Sequence, residues 1–457
     1  MNSKPNIAEL MPIYQRWLSG DVIGRLVSET KKTFYSRLLS PILILWGFIF
    51  QRLNHDHSCD AAWSYLSSES VQEQFRSGKP RPKRLSESTS AYCQARKRLP
   101  LSVAQGALAQ TAQALRQELG EVALWHGRSV NLFDGSTLQL AATSELTRHY
   151  GVPTNQYGAS HWPLMRIVAG FDLYSGVVNA VAEGPYLTSE QALAVQVIQD
   201  MGSGWVHVGD RNFGIYHMLQ VAITEQSDVV LRLKVTQAKR LVPQLHAGMD
   251  VDVLWSPSRF DTCESDLPTP SVSGRLIYVR LEKAGFRPID IYLFTTLTDR
   301  EAFPSPDILA LYGQRWNVEL DLRHIKTMLD MEALEGKSVD IVRKELLLGL
   351  LAYSLLRGLM AIAARQAHRS PLELSLAQCW RRTTDACRNL PQGVSPAEVE
   401  RVLTRLLTRL GNCLLPKRKR ERFEPRAVWG RPRVYPTIKG SREETRQAWL
   451  ESMKLNS

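Results

Sequence analysis

Ser129-Val-Asn-Leu-Phe-Asp-Gly135 and Trp205-Val-His-Val-Gly-Asp210 are two short apolar runs, and each stops at an aspartate. Their β-branched and aromatic content predicts strands over 129–133 and 205–208. Between them, 165–171 and 177–182 predict two more strands joined by a turn at Asp172-Leu-Tyr-Ser-Gly176, followed by a helix from about 189 to 201. Beyond them, 213–224 predicts a helix and 229–235 a strand. The order strand, hairpin, helix, strand, helix, strand is that of an α/β fold with a mixed sheet and helices on both faces. In open α/β sheets, ligand sites collect beyond strand carboxyl ends, which brings Asp134 and Asp210 forward as candidate site residues.

On the C-terminal side, 236–289 breaks the alternation. Val251-Asp-Val-Leu-Trp255 and Arg275-Leu-Ile-Tyr-Val-Arg-Leu281 alternate like antiparallel strands around a Ser/Pro/Asp loop, which reads as an inserted β module. A buried strand is expected over 290–297, and Pro304-Ser-Pro306 opens a long helix. Residues 338–410 read as helical and apolar on one side, and residues 1 to about 120 read as helical too. The segment Ser86–Leu99 looks like a short helix with Arg96, Lys97 and Arg98 in its last turn, placed either to complement a helix C-terminus or to touch phosphates. The expected divisions are 1–122 (helical N-terminal), 123–235 (core, first part), 236–289 (inserted module), 290–370 (core, second part) and 371–457 (helical, with a basic tail).

The chain has 457 residues, 44% hydrophobic and 22% charged, which is a globular composition. The cysteines, Cys59, Cys93, Cys263, Cys379, Cys387 and Cys413, form no CxxC pair, which argues against a disulfide framework or a cysteine zinc site and fits a reducing cytoplasm. Met1–Leu10 is polar, so no signal peptide is expected. Residues 38–50 are too short to span a bilayer and 346–364 carries Arg357 at its centre, so both are expected to be buried helices, with no membrane partner. The net charge of +12 then calls for an acidic partner in solution or marks a solubilising surface. Half of that surplus lies between Lys417 and Arg433, with eight basic and two acidic residues; Phe423, Trp429 and Tyr435 are interleaved, with Pro425, Pro432 and Pro436, a mixture that suits an extended segment along a nucleic-acid backbone as well as a solvated tail.

Leu311-Tyr-Gly-Gln-Arg-Trp-Asn-Val-Glu-Leu-Asp-Leu-Arg-His-Ile-Lys-Thr-Met-Leu329 is expected to be one amphipathic helix. At 100° per residue, Leu311, Val318, Leu322, Ile325 and Leu329 form a buried stripe, and Tyr312, Arg315, Glu319, Arg323 and Lys326 a second stripe beside it. A salt-bridged exposed face, at about 0.2–0.5 kcal/mol per pair, and a carboxylate ringed by phosphate-binding cations both fit this pattern.

Tyr312-x2-Arg315-x3-Glu319-x6-Lys326 resembles the Tyr-Arg-Glu-Lys signature of bacterial insertion-sequence DDE transposases of the insertion sequence four family, which includes the enzymes of transposons Tn-five and Tn-ten. Leu132-Phe-Asp134-Gly and Val208-Gly-Asp210-Arg-Asn-Phe-Gly resemble the segments around that family's two aspartates. The inserted module, Cys93-Gln-Ala-Arg-Lys-Arg-Leu99 and Arg431-Pro-Arg-Val-Tyr-Pro436 match as well, so the likeness runs from about residue 35 to 440. The resemblance implies a ribonuclease-H-like core with Asp134, Asp210 and Glu319 as catalytic carboxylates that hold two Mg²⁺ or Mn²⁺ ions. Clustered carboxylates without metal are expected to repel one another and to have raised pKa values. Tyr312, Arg315, Lys326 and, outside the signature, Arg323 would contact phosphates, with further DNA contacts from Arg96 and Arg98 of an N-terminal DNA-binding domain and from Lys417, Arg418 and Arg420.

The implied function is cut-and-paste transposition. Water frees a 3′-OH at the element end, related enzymes pass through a hairpin, and the 3′-OH then attacks target DNA. The implied partners are double-stranded DNA, as terminal inverted repeats and target, and a second copy of the chain in a synaptic homodimer. The implied location is the bacterial cytoplasm, in association with the nucleoid. The other readings are a non-catalytic DNA-binding derivative and a nuclease or resolvase without strand transfer. Trp255 is a candidate to hold a flipped base, although packing within its module explains it equally well. His207 is expected to be a packed strand histidine, Asp172 a turn residue, and His55 and His57 parts of a solvated turn.

Overall fold

The computed structural model describes residues 14, 16–31, 39–54, 56–68, 71, 87–156, 158–258, 261, 270–282, 288–388, 396–416, 444, 447, 448 and 451. Helices α1 (Gly20–Glu29), α2 (Pro41–Leu53) and α3 (Cys59–Leu66) come first. Ser19, Ser40 and Ser58 cap them by accepting from Val22, Leu43 and Ala61 N–H, each such cap being worth about 1 kcal/mol. Helices α4 (Ser90–Arg98) and α5 (Leu101–Leu119) follow, and a mixed α/β region begins at β1 (Ser129–Leu140). It continues with α6 (Ser144–Tyr150), β2 (Thr154–Asn155), β3 (Gly158–Ala159), β4 (Leu164–Asp172), β5 (Val178–Pro185), α7 (Glu190–Met201), β6 (Trp205–Gly209), α8 (Tyr216–Thr224) and β7 (Asp228–Arg232). After α9 (Val235–Leu241) come β8 (Asp250–Trp255), β9 (Val272–Leu281) and β10 (Ile289–Thr295), then α10 (Ser305–Gly313), α11 (Trp316–Met328) and β11 (Ala333–Leu334). Helices α12 (Val339–Gln366), α13 (Leu376–Arg388) and α14 (Pro396–Gly411) end the described fold.

Nine strands form one mixed sheet in the order β5-β4-β1-β6-β7-β10-β9-β8, with β11 also on β1. β1, β6 and β7 run parallel, whereas β4 and β5 are antiparallel additions on one side. The pleat sends alternate residues to two cores. Val130, Leu132, Leu138 and Leu140 of β1 join the larger core with α5 and α12, whereas Phe133 joins a second core with Leu193, Val197 and Ile198 of α7. Both faces of the sheet are therefore covered by helices, as the alternating elements predict.

Three expectations change. β1 does not stop at residue 133 but runs on to Leu140, because β4 pairs with it as far as Gln139 and Leu138 and Leu140 return to the larger core. β8 and β9 pair antiparallel as expected, yet they extend the central sheet beyond β10 rather than folding back on themselves. The helix expected over 311–329 breaks at 313–315, where Gly313 weakens it and i→i+3 bonds from Gln314 and Arg315 N–H to Leu311 and Tyr312 C=O tighten the turn. The expected stripe of Leu311, Val318, Leu322, Ile325 and Leu329 is buried throughout.

α12 is long and apolar enough to cross a membrane, with a mean hydropathy of 1.9, but all of that window is buried inside the protein. Its central Arg357 donates from Nε to Ser175 C=O at 2.8 Å and lies 4.0 Å from Asp321. Gly176, at φ +68°, makes room for that guanidinium, since a Cβ there would stand 2.2 Å from Arg357 Nη2. The backbone divides into a large unit, 1–279 with 290–417, and a small one, 280–289 with 418–457. In the small unit, Arg280 Nε bonds Glu282 Oε1 at 2.7 Å.

Candidate active site

The last registered pair between β1 and β6 is Leu132↔Val208, and each aspartate lies two residues farther on, Asp134 on β1 and Asp210 just past β6. A two-residue step returns each side chain to the same face of the sheet, so both point to the side of Leu132 and Val208. This edge of β1 gains its next partner only at Gln139↔Ala333, on β11. Asp134 thus sits in an unpaired stretch of strand edge, and its neighbours on the same face are the buried Leu132 and the half-buried Ser136. Asp210 folds back on its own loop, accepting from Asn212 N–H at 2.7 Å.

Glu319 comes from α11, whose Val318, Leu322 and Ile325 pack into the larger core. Arg315, the N-cap of α11, bridges the carboxylates, with Nη1 3.3 Å from Asp134 Oδ2 and Nη2 2.7 Å from Glu319 Oε1. Burial pushes the Asp134 carboxyl up to about 6; the Gly135 amide at 2.8 Å and Arg315 pull it down, and the charges of Asp210 and Glu319 push it up further. Burial acts to lower the Arg315 pKa, but the Glu319 hydrogen bond and the nearby Tyr312 and Asp134 raise it on balance.

Among the described residues, no three His, Cys, Asp or Glu side chains are gathered closely enough to hold a metal ion. The donor set, carboxylates without His or Cys, suits a hard cation such as Mg²⁺ or Mn²⁺. Asp134 feels the charges of both other carboxylates, yet here the cation between Asp134 and Glu319 is the guanidinium. The site therefore fits such an ion in its chemistry and falls short of it in convergence.

Tyr312 is buried, and its C=O accepts from Arg315 N–H at 3.0 Å. Arg323 is exposed one turn beyond Glu319. Lys326 is half-buried, with its pKa lowered by burial and raised in part by Glu332. Arg98 is exposed on α4, but Arg96 is not placed as a surface DNA contact. It is buried, with Nη2 2.5 Å from Glu345 Oε1 and its guanidinium carbon 4.4 Å from the Phe48 ring centre, because α4 packs under α2 and α12. Lys417, Arg418 and Arg420 lie outside the described residues. Trp255 is buried edge-on against Phe294, with ring centres 5.0 Å apart, which is the packing role and leaves no face for a base. His207 is buried and held down to about 3 by that burial, and Asp172 accepts from Ser175 inside its turn. His57 Nδ1 contacts Gln51 C=O at 2.5 Å, while His55 is outside the described residues.

Two neighbours of the site escaped the sequence reading. Glu190, in the first turn of α7, accepts from Asn212 Nδ2 at 2.9 Å and packs over Gly135, where a Cβ would stand 2.6 Å from its Cδ. The glycine after Asp134 is the one local signal of that close approach. Trp316, beside Arg315 at the start of α11, is 55% exposed. An exposed tryptophan three residues before Glu319 is unusual enough to have been singled out from sequence, had the helix break been foreseen.

The fold is a mixed α/β one, and on it Arg315 bridges Asp134 and Glu319 within reach of the charge of Asp210. Residues 125–355 match the family described as the transposase DDE domain, so the chain belongs to the DDE transposases. It is 26% identical over 354 residues, 76% of this chain and 78% of the relative, to the transposase InsG of insertion sequence element IS4 from Escherichia coli K12, which bears out the insertion sequence four resemblance. It is also 29% identical over 125 residues, 27% of this chain and 42% of the relative, to the putative transposase InsZ of that organism. Among solved structures it is similar to a piggyBac transposase synaptic complex with hairpin DNA, at a TM-score of 0.42 and 9% identity, over 90% of this chain and 86% of that one.

Proposed function

We propose that this transposase cuts and joins the ends of its insertion sequence at the cleft of Asp134, Asp210 and Glu319, on a ribonuclease-H-like core. The observation that supports this most directly is the register: the two aspartates lie equally far past the Leu132↔Val208 pair, and Arg315 ties Glu319 to the first of them. Two Mg²⁺ or Mn²⁺ ions, when bound by these carboxylates, would supply Lewis-acid polarisation of the phosphoryl oxygen and a more acidic water.

The chain's own residues do the rest. Asp134, Asp210 and Glu319 orient the attacking oxygen, water in the first step and the freed 3′-OH in the joining step. Arg315 leaves its carboxylates and grips a phosphate in a bidentate fork, while Lys326 and Arg323 act as point and surface charges along α11. Buried Tyr312 holds the break at 313–315 that aims Arg315. The exposed Trp316 offers a stacking face to an unpaired base, the role that the buried Trp255 does not have. Arg98 and the basic residues Lys417, Arg418 and Arg420 are surface contacts to the DNA backbone in this reading. The substrates are the terminal inverted repeats and target DNA, the working form is a homodimer, and the setting is the cytoplasm at the nucleoid.

The test is cleavage and joining of the element's own end DNA by the full chain in Mg²⁺ and in Ca²⁺, with Glu319→Gln in parallel. Cleaved and joined products from wild type in Mg²⁺, and DNA binding without products from Glu319→Gln, are expected. Cleavage without joining assigns a nuclease instead. Binding without chemistry from both proteins in any metal assigns a DNA-binding derivative.

A further inference from the structure

Helix α14 turns one face to the core, where Leu403, Leu406, Leu407 and Leu410 are buried. Its other face carries Arg401, Arg405 and Arg409, all exposed, at i, i+4 and i+8. Successive guanidinium groups are offset by about 40° and about 6 Å along the axis, so they form one row of roughly 12 Å. Thr404 and Thr408 share this face, but their hydroxyls donate to Glu400 and Thr404 C=O at 2.9 and 3.0 Å. Among the described residues, none of the three guanidinium groups takes part in an ion pair or hydrogen bond.

This arrangement is costly for a surface whose only task is solubility. Like charges at i, i+4 destabilise a helix by a few tenths of a kcal/mol per pair. Elsewhere some cations are answered at that spacing by acids, as in Asp340–Lys344 and Arg315–Glu319. On α14 the carboxylates, Glu398 and Glu400, lie within its first five residues, and none follows Arg401.

We propose that the Arg401–Arg405–Arg409 face of α14 is a binding surface for the phosphodiester backbone of duplex DNA, separate from the carboxylate cleft. A DNA strand presents a phosphate about every 3.4 Å of axis, so a row of roughly 12 Å faces three to four of them. Planar guanidinium forks suit phosphate oxygens, and no base-reading group accompanies them, so the contact is independent of sequence. A membrane surface is disfavoured because the apolar face that would enter lipid is already buried against the protein.

The proposal rests on the reading of the chain as acting on DNA. The experiment measures the affinity of the full chain for duplex DNA against salt concentration, for wild type, Arg401→Gln/Arg405→Gln/Arg409→Gln and the corresponding triple Lys variant. Each lost phosphate contact removes about 0.9 from the slope of log affinity against log salt, so the triple Gln variant is expected to be shallower by up to about 2.7. The triple Lys variant is expected to keep the wild-type slope. Single Arg405→Gln, shallower by about 0.9, serves if the triple variant does not fold. An unchanged slope in Arg405→Gln or the triple Gln variant overturns the proposal and leaves the transposase reading standing. A defect seen on phosphatidylserine vesicles and not on DNA also overturns it. Failure of wild type to bind DNA sinks the functional reading itself.

Discussion

Arg315 bridges Asp134 and Glu319, and this bridge and the burial of Asp134 each have a measurable consequence. The guanidinium spans the two carboxylates at 3.3 and 2.7 Å, so a divalent ion sharing those oxygens must displace it. Arg315→Ala is expected to bind Mn²⁺ several-fold more tightly than wild type in calorimetry without DNA, while losing affinity for the cleaved end. Unchanged Mn²⁺ affinity would show that the guanidinium does not compete. The second consequence concerns Asp134, whose carboxyl is held at about 6 against an ordinary 3.8, chiefly by burial. A raised carboxyl pKa means that the folded state binds the proton more tightly than the unfolded one. Ionised Asp134 therefore costs stability at high pH, and the cost fades as pH falls through 6 towards 3.8. Two units correspond to on the order of 3 kcal/mol, an upper figure for a partly hydrated site. In metal-free buffer, Asp134→Asn is expected to melt a few degrees higher than wild type at pH 8 and to lose that advantage by about pH 4. An advantage that does not depend on pH would place its origin elsewhere.

At the scale of elements, what was legible in the sequence is what depends on local periodicity. The strands around Asp134 and Asp210, and the buried stripe of α11, follow from alternation and from 3.6-residue spacing. What was not legible depends on neighbours far along the chain. β1 reads as ending at Asp134 because two polar or small residues follow it, yet β4 and the core beneath carry the strand on to Leu140. Arg96 reads as a surface cation because its partner, Glu345, is 249 residues away. Trp255 reads equally as packing or as exposed until Phe294 is placed against it. The break before α11 turned on one glycine, a residue that many helices tolerate. The tie between α11 and α12 was equally hidden: Tyr353 Oη donates to buried Asp321 Oδ1 at 2.7 Å, two residues beyond Glu319. Tyr353→Phe leaves that oxygen without its donor and is expected to cost about 1–3 kcal/mol in denaturant unfolding. If Asp321 serves only to hold α11, end-DNA binding by the folded variant is expected to match wild type while its cleavage slows. A variant as stable as wild type would show that Arg357 satisfies Asp321 alone.

For the whole molecule the governing quantity is charge, +12 over 457 residues, and its distribution is uneven. Residues 416–457 contain twelve basic and five acidic side chains, so removing them takes the formal net charge from +12 to +5. Long-range attraction to a polyanion scales with that total, whereas sequence preference depends on a few groups that reach base edges. In the proposed function three acids approach phosphates, which works against binding, and the cations of α11 offset them only locally. On that reading, affinity for DNA comes from other cations, for which the α14 arginines and the basic residues from 417 onward are the candidates by sequence and charge. A chain ending at Leu415 keeps every described element from α1 to α14. It is expected to melt within a few degrees of the full chain and to bind duplex DNA with a salt slope shallower by several units, at about 0.9 per lost contact. The loss should be equal on element-end and unrelated duplexes, because the tail's lysines and arginines act as charges. A truncated chain that loses affinity for the element end alone would instead assign base recognition to the tail, and the electrostatic division between cleft and periphery would have to be abandoned.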